Sequence, residues 1–116
     1  MSSRSRFFIG RGNLLLLRNM WNYNYCIYIT TNPAKTVLYI GVTNDLKRRL
    51  YEHYENRGKA KTFAGKYYCY QLVYYEHFIS INEAIKREKE LKGWSRKKKD
   101  ILIKTTNPNM NFIKLD

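Results

Sequence analysis

The sequence predicts an α/β protein of the α+β kind: one small three-stranded antiparallel sheet flanked by helices, in the order ββαβαα. Three observations carry this. The 116 residues fit one domain, which typically holds on the order of 100 to 150 residues. Two segments rich in aromatic and β-branched residues, Tyr23 to Thr31 and Val37 to Thr43, flank an Asn32-Pro33 turn and predict a hairpin. Helix-starting residues then recur at Asn44, Ser80 and Ser95, each ahead of an amphipathic stretch.

Residues 1–19 hold four Arg, no acid and no clear period. They are expected outside the core, as an extension from an upstream start codon, a basic arm or a transit-peptide-like segment, which leaves 20–116 as the folded domain. After the hairpin, Asn44 is expected to cap a helix from Asp45 to about Asn56, with Asp45 at its positive end and Arg57-Gly58 as the stop. Lys59 to Lys66 then forms a basic loop and Tyr70 to Glu76 a third strand. Ser80-Ile81-Asn82-Glu83 has the form of a capping box; its helix runs to about Lys92 and closes with Gly93 at the C′ position. Ser95 starts a last helix, basic first and aliphatic later, which Asn107-Pro108 ends.

Charge narrows the function. Twenty-two Lys plus Arg against nine Asp plus Glu give +13 and a sequence pI near 9.9, so the natural partner is a polyanion. Nucleic acid is favoured over an acidic membrane or ribosome surface, because neutralising phosphates releases condensed counterions. Cys26 and Cys69 are far apart and show no ligand spacing, which argues against a zinc site or a disulfide framework. The longest aliphatic run, Leu14 to Leu17, is far short of the ~20 residues that span a bilayer and of a secretory core. A cytoplasmic protein with no membrane partner is the expectation.

Two helices break their own polar–apolar pattern. On the helix near Leu46, spaced ~100° per residue, Leu46, Arg49, Leu50 and His53 share one face while Arg48 points away. An inward Arg49 needs an anion, either a protein carboxylate or a substrate phosphate. On the capping-box helix, Ile81, Ala84, Ile85 and Leu91 form the apolar stripe and Glu88 lies within it, with Glu83 and Glu90 opposite. Glu88 needs a cation: Arg49 in a structural pair, or a Mg²⁺ ion. The Lys97-Lys98-Lys99 run is either a solvated face or a set of phosphate contacts that carry no sequence information. His77 belongs to no motif and is expected at the surface.

These residues reach a known pattern. Tyr39-Ile40-Gly41, with Cys26-Ile27-Tyr28 at hairpin distance, resembles the paired-strand signature of the GIY-YIG endonuclease family. The likeness continues through TNDLKRRLYEH, which holds Arg49 and His53, and AIKRE, which holds Glu88, and spans about residues 23–109. It is similar above all to the small single-domain bacterial proteins related to the N-terminal nuclease domain of the ABC excinuclease, echoed at Lys66-Tyr67, Leu72 to Glu76 and Lys92 to Arg96. Cys26 stands where the family name has glycine, a change expected to alter packing rather than chemistry.

The resemblance implies a metal-dependent endonuclease acting on nucleic acid, DNA rather than RNA, in repair or recombination-like cleavage, and working as a monomer or weak homodimer. It implies catalytic roles for Tyr28, Tyr39, Arg49, His53 and Glu88, with Glu88 the ligand of Mg²⁺ or Mn²⁺ and Arg49 stabilising the pentacovalent phosphate. The general base stays open. A tyrosine with an ordinary pKa of ~10 needs help to deprotonate water, whereas histidine at ~6.5 does not. Tyr67 and Asn107 are implied to orient substrate or water; Lys66, Lys97 and Lys98 are expected, as basic residues, to contact it. A catalytically weak nucleic-acid-binding module on the same scaffold is the alternative.

Overall fold

The computed structural model describes residues 24–115. The proposed extension at 1–19 and the start of the first strand at Tyr23 lie outside that range. Within it run β1 (Tyr25–Thr31), β2 (Leu38–Thr43), α1 (Leu46–Glu55), α2 (Phe63–Lys66), β3 (Gln71–Phe78), α3 (Ile81–Lys92) and α4 (Arg96–Thr106). The sheet is antiparallel with order β2-β1-β3, so the α+β architecture is the one expected and β1 is its centre.

The central place of β1 follows from its composition. All seven of its residues are buried, as befits a strand covered on both faces, and side chains alternate between those faces. Tyr25, Ile27 and Ile29 join Ile40, Val73, Ala84, Leu91 and Ile103 in the main core, where α3 and α4 contribute. Cys26, Tyr28 and Thr30 face the other way. The β1–β2 turn is held by Asn32, whose Oδ1 accepts from the amides of Thr36 at 2.8 Å and Val37 at 3.0 Å. Arg96 ties α4 to the same turn by donating to the carbonyls of Thr36 and Lys35.

Several local expectations change. Asp45, not Asn44, caps α1, its carboxylate accepting from the Arg48 amide at 3.1 Å. Asp45 thus satisfies a free helix donor and places a negative charge at the positive end. The basic loop contains the one-turn α2, capped by the Thr62 hydroxyl, which accepts from the Gly65 amide at 3.0 Å. Strand β3 runs on to Phe78. Ser80 caps α3 by accepting from the amides of Asn82 and Glu83, whereas Gly93 has φ −83°, right-handed, so the close of this helix does not use glycine's freedom. No helix among the described residues is long and apolar enough to cross a membrane.

Candidate active site

The β1–β2 register builds the centre of the site. Tyr28 pairs with Gly41 and Thr30 with Tyr39, so Tyr28 and Tyr39 are diagonal neighbours on one face of the sheet. Their ring centroids are 6.2 Å apart. A Cβ on Gly41 would stand 2.5 Å from the Tyr28 hydroxyl oxygen. The glycine is therefore there for clearance: it lets the Tyr28 ring lie flat over β2.

Helix α1 covers this face. His53 is brought over both tyrosines, 5.7 Å from the Tyr28 ring and 5.4 Å from the Tyr39 ring between centroids, with Nε2 2.8 Å from the Tyr28 hydroxyl. Tyr28 is 1 % exposed. Burial, then the neighbouring Tyr39, push its hydroxyl well above the ordinary range, against the opposing pull of Arg49, so Tyr28 holds its proton. His53 is shifted the other way: burial, then the Arg49 guanidinium, hold its pKa below 6.5, opposed by Glu52. At neutral pH the imidazole is uncharged and able to accept a proton.

Arg49 shares the inward face of α1 with His53. Its Nε is buried with no hydrogen-bond partner; Glu52 Oε1 lies 3.5 Å away as a loose ion-pair contact, too poorly aligned to satisfy that donor. The predicted alternative of an Arg49–Glu88 pair is not formed. Glu88 instead holds Lys92 one turn along α3, 3.0 Å from carboxylate to ammonium, with the Glu88 side chain 16 % exposed and that of Lys92 52 %. An unsatisfied guanidinium donor and a partly sheltered carboxylate thus both act on the buried Tyr28 hydroxyl.

The remaining sequence-derived candidates separate. Tyr67 is half-exposed and its ring packs on Phe63 at 4.7 Å, with Lys66 Nζ 5.3 Å above it. Lys97 and Lys98 lie on the exposed first turn of α4, and Lys98 rests 4.2 Å over Trp94. Asn107 is buried and bonded to backbone. Its amide donates to the carbonyls of Val73 and Asn111 and its Oδ1 accepts from the Asn111 amide, which uses its hydrogen-bonding capacity on the backbone. His77 is exposed, as expected, and touches Cys26, Sγ to Nδ1 3.3 Å. Burial raises the Cys26 thiol, leaving it an inert packing group.

Two features escaped the sequence. Glu76 on β3 receives a two-point hydrogen bond from Arg87 of α3, both contacts 2.9 Å, and Arg87 also meets Glu90 at 2.9 Å. The Tyr74 hydroxyl donates to the same Glu76 carboxylate. The pair ties α3 to β3 at the residue before Glu88. The second is Phe63, whose ring stacks on Tyr39 at 6.1 Å. Its place between a capping threonine and Ala-Gly was the one available signal.

A neutral histidine hydrogen-bonded to a buried tyrosine, beside an unsatisfied guanidinium on a strongly basic chain, suits proton transfer next to an anionic substrate. That is the setting of a phosphodiester-cleaving catalytic domain. Comparison with known proteins gives the same class: the GIY-YIG catalytic domain matches residues 24–100. The chain is 38 % identical over 84 residues to a UPF0213 protein of Bacillus pumilus, covering 72 % of this chain and 83 % of that one. It is 36 % identical over 83 residues to a UPF0213 protein of Haloquadratum walsbyi, covering 72 % and 89 %. A solution structure of a UPF0213 protein from Bacillus halodurans aligns at 30 % identity and TM-score 0.48 over 74 % of this chain and 88 % of that one. The chain belongs to the GIY-YIG family, and its domain is that of a nuclease.

Proposed function

We propose that this protein is a metal-dependent endonuclease that hydrolyses phosphodiester bonds in nucleic acid, DNA in preference to RNA, at positions set by substrate structure as in repair or recombination. The observation that carries this is the Tyr28–His53 hydrogen bond beside the buried, unsatisfied Nε of Arg49. Glu52, 3.5 Å away on the same helix, does not complete that donor's hydrogen bond, so the guanidinium has capacity left for a phosphate.

His53 is the proton acceptor. Tyr28 gives its proton to Nε2 as it takes one from the attacking water, directly or through Tyr39, which then takes the water's proton as it gives up its own, so neither tyrosine becomes a stable phenolate. That route suits the upward shift of Tyr28, which counts against Tyr28 as a free base. Arg49 turns its unsatisfied donor to the charge that grows on the phosphate. Lys66, Tyr67, Lys97 and Lys98 hold the flanking strand, and Asn107 supports β3.

Among the described residues no three His, Cys, Asp or Glu side chains gather as a metal cage. A Mg²⁺ or Mn²⁺ ion needs less, typically one or two carboxylates with water and phosphate oxygens completing the shell. Glu88 fits that demand: it is sheltered, and its partner Lys92 sits on a flexible, half-exposed stem that can swing aside. Bound there, the ion would neutralise charge on the phosphate and the leaving oxygen. One centre nicks one strand, so a monomer or weak homodimer serves.

The test is cleavage of labelled duplex, flapped, branched and single-stranded DNA and RNA with Mg²⁺, Mn²⁺ or EDTA, wild type against Glu88→Gln. Metal-dependent cutting that disappears in the variant while binding persists supports the proposal. The Lys92–Glu88 contact favours one other reading, a binding module whose carboxylate is permanently neutralised by lysine; binding without cutting in every condition would establish it.

A further inference from the structure

Beside the catalytic tyrosines the surface opens into a cavity of about 270 Å³ lined by Leu38, Tyr39, Ile40, Phe63, Lys92 and Lys99. Its composition is unusual for a solvated face of so basic a chain. Two aliphatic side chains and two rings make the walls, and two ammonium groups stand among them. Phe63 is 51 % exposed and Tyr67, packed on it, 39 %. Tyr39, Phe63 and Tyr67 form a continuous series of rings, spaced 6.1 and 4.7 Å. The first of them touches the His53 ring.

Two lining residues belong also to the proposed catalytic centre: Tyr39 through His53, and Lys92 through its 3.0 Å contact with Glu88. Whatever fills the cavity is therefore close to the bond being cut. An exposed phenylalanine backed by tyrosine offers a stacking face, which any nucleobase can use because every base has a π-face. Lys92 and Lys99 supply positive charge for the phosphates on either side of that base. A paired duplex buries its base faces in its own stack and offers none.

We propose that this cavity is a stacking site for one unpaired nucleobase next to the scissile phosphate, with Phe63 as the platform and Lys92 and Lys99 as phosphate contacts. The site selects strands whose bases are already unpaired, at flaps, bulges, junctions or single-stranded stretches, over continuous duplex. It rests on the nuclease reading and gives that reading a substrate class. Lys99, from the run whose other two members were expected to contact substrate, is the lysine of that run that lines the cavity.

The experiment uses the full chain in EDTA, so that nothing is cut, with oligonucleotides carrying one 2-aminopurine, whose fluorescence falls when it stacks. The base is placed in a single-stranded stretch or a three-nucleotide bulge, and in a matched duplex, each in DNA and RNA form. Quenching with the unpaired probe and not the duplex is expected; the DNA and RNA arms show which backbone the site accepts. Phe63→Ala should abolish the quench and weaken binding of the unpaired probe roughly tenfold, while leaving duplex affinity unchanged. Phe63→Trp should restore both, and Lys99→Ala should weaken binding while keeping the quench. Equal quenching by wild type and Phe63→Ala, or equal affinity of Phe63→Ala for the unpaired probe, overturns the proposal. A parallel assay with Mg²⁺ separates the two ideas: quenching without cutting keeps the base site and defeats the nuclease, and equal cutting of duplex and flap by wild type and Phe63→Ala keeps the nuclease and defeats the base site.

Discussion

The Tyr28 hydroxyl and His53 Nε2 stand 2.8 Å apart although 25 residues separate them in sequence; one comes from the centre of the sheet, the other from the helix laid across it. Only the inward-facing side of α1 can make this contact, and it fixes which histidine nitrogen meets the tyrosine. A buried, proton-holding phenol is thus paired with an imidazole kept neutral, and in the proposed reaction the proton moves in one direction, from the tyrosine toward the helix.

That direction predicts the pH profile. Since burial and Arg49 hold the His53 pKa below 6.5, activity should stay level as pH falls past 6.5 and decline only below it, with unit slope. His53→Gln should remove this limb and lower turnover by on the order of 10²- to 10⁴-fold. The stability sign is the reverse of that for a histidine held charged in a salt bridge. The unfolded histidine binds the proton more readily, so stability falls as pH drops through 6.5 and the loss is complete below the folded pKa. Cleavage rates and urea midpoints across pH 5 to 8 check both.

Gly41→Ala tests the clearance under Tyr28. The added methyl would lie 2.5 to 2.9 Å from three atoms of the Tyr28 side chain, and that ring is buried and cannot swing to solvent. A cost of about 1–3 kcal/mol is expected from overpacking. The ring must also move relative to His53, so turnover should drop further than the folded fraction explains. Urea denaturation beside initial rates separates the two effects.

Much of this was legible in the sequence because it is local or periodic. Aromatic and β-branched runs gave the strands, serines gave two helix caps, and the helical period placed Arg49 and His53 on one side. What was not legible depends on pairing. That β3 adds to the far edge of β1 is hinted only by the unbroken burial of β1, and the Glu76–Arg87 contact depends on that addition. The backbone contacts of Asn107 were hidden for the same reason, since its partners Val73 and Asn111 are set by tertiary packing. Helix α2 is too short for a period to show, and Asn44 and Asp45 are equally good caps by residue type.

Asn107→Ala tests the structural role assigned to that residue. The side chain is buried and makes three hydrogen bonds to backbone groups of Val73 and Asn111, and its removal strands those groups. A loss of roughly 2–3 kcal/mol is expected, while the activity per folded molecule and the substrate KM stay near wild type. A large rise in KM without loss of stability would instead return Asn107 to the substrate.

Arg87 is predicted to be a positioning residue acting through its neighbour Glu88. Burial alone would raise the Glu76 carboxyl, but the hydrogen bonds from Arg87, then the Tyr74 hydroxyl and the Arg87 charge, outweigh it and hold the pKa below 4.5. The unfolded Glu76 therefore binds more protons between its folded pKa and 4.5. The stability this pair contributes is present above 4.5 and is lost as pH falls through the folded value. Arg87→Met should cost about 2–3 kcal/mol at neutral pH, less than the 3–5 kcal/mol of a fully buried pair because about a fifth of each side chain is exposed. The gap to wild type should narrow as Glu76 is protonated. Arg87→Met with Glu76→Gln should regain part of the loss, because no unpaired buried charge remains. If α3 is held in rotation by this pair, Arg87→Met should also raise the Mg²⁺ concentration needed for half-maximal cutting, and the double variant should recover stability without recovering that midpoint. Recovery of both together would mean that Arg87 serves the fold alone.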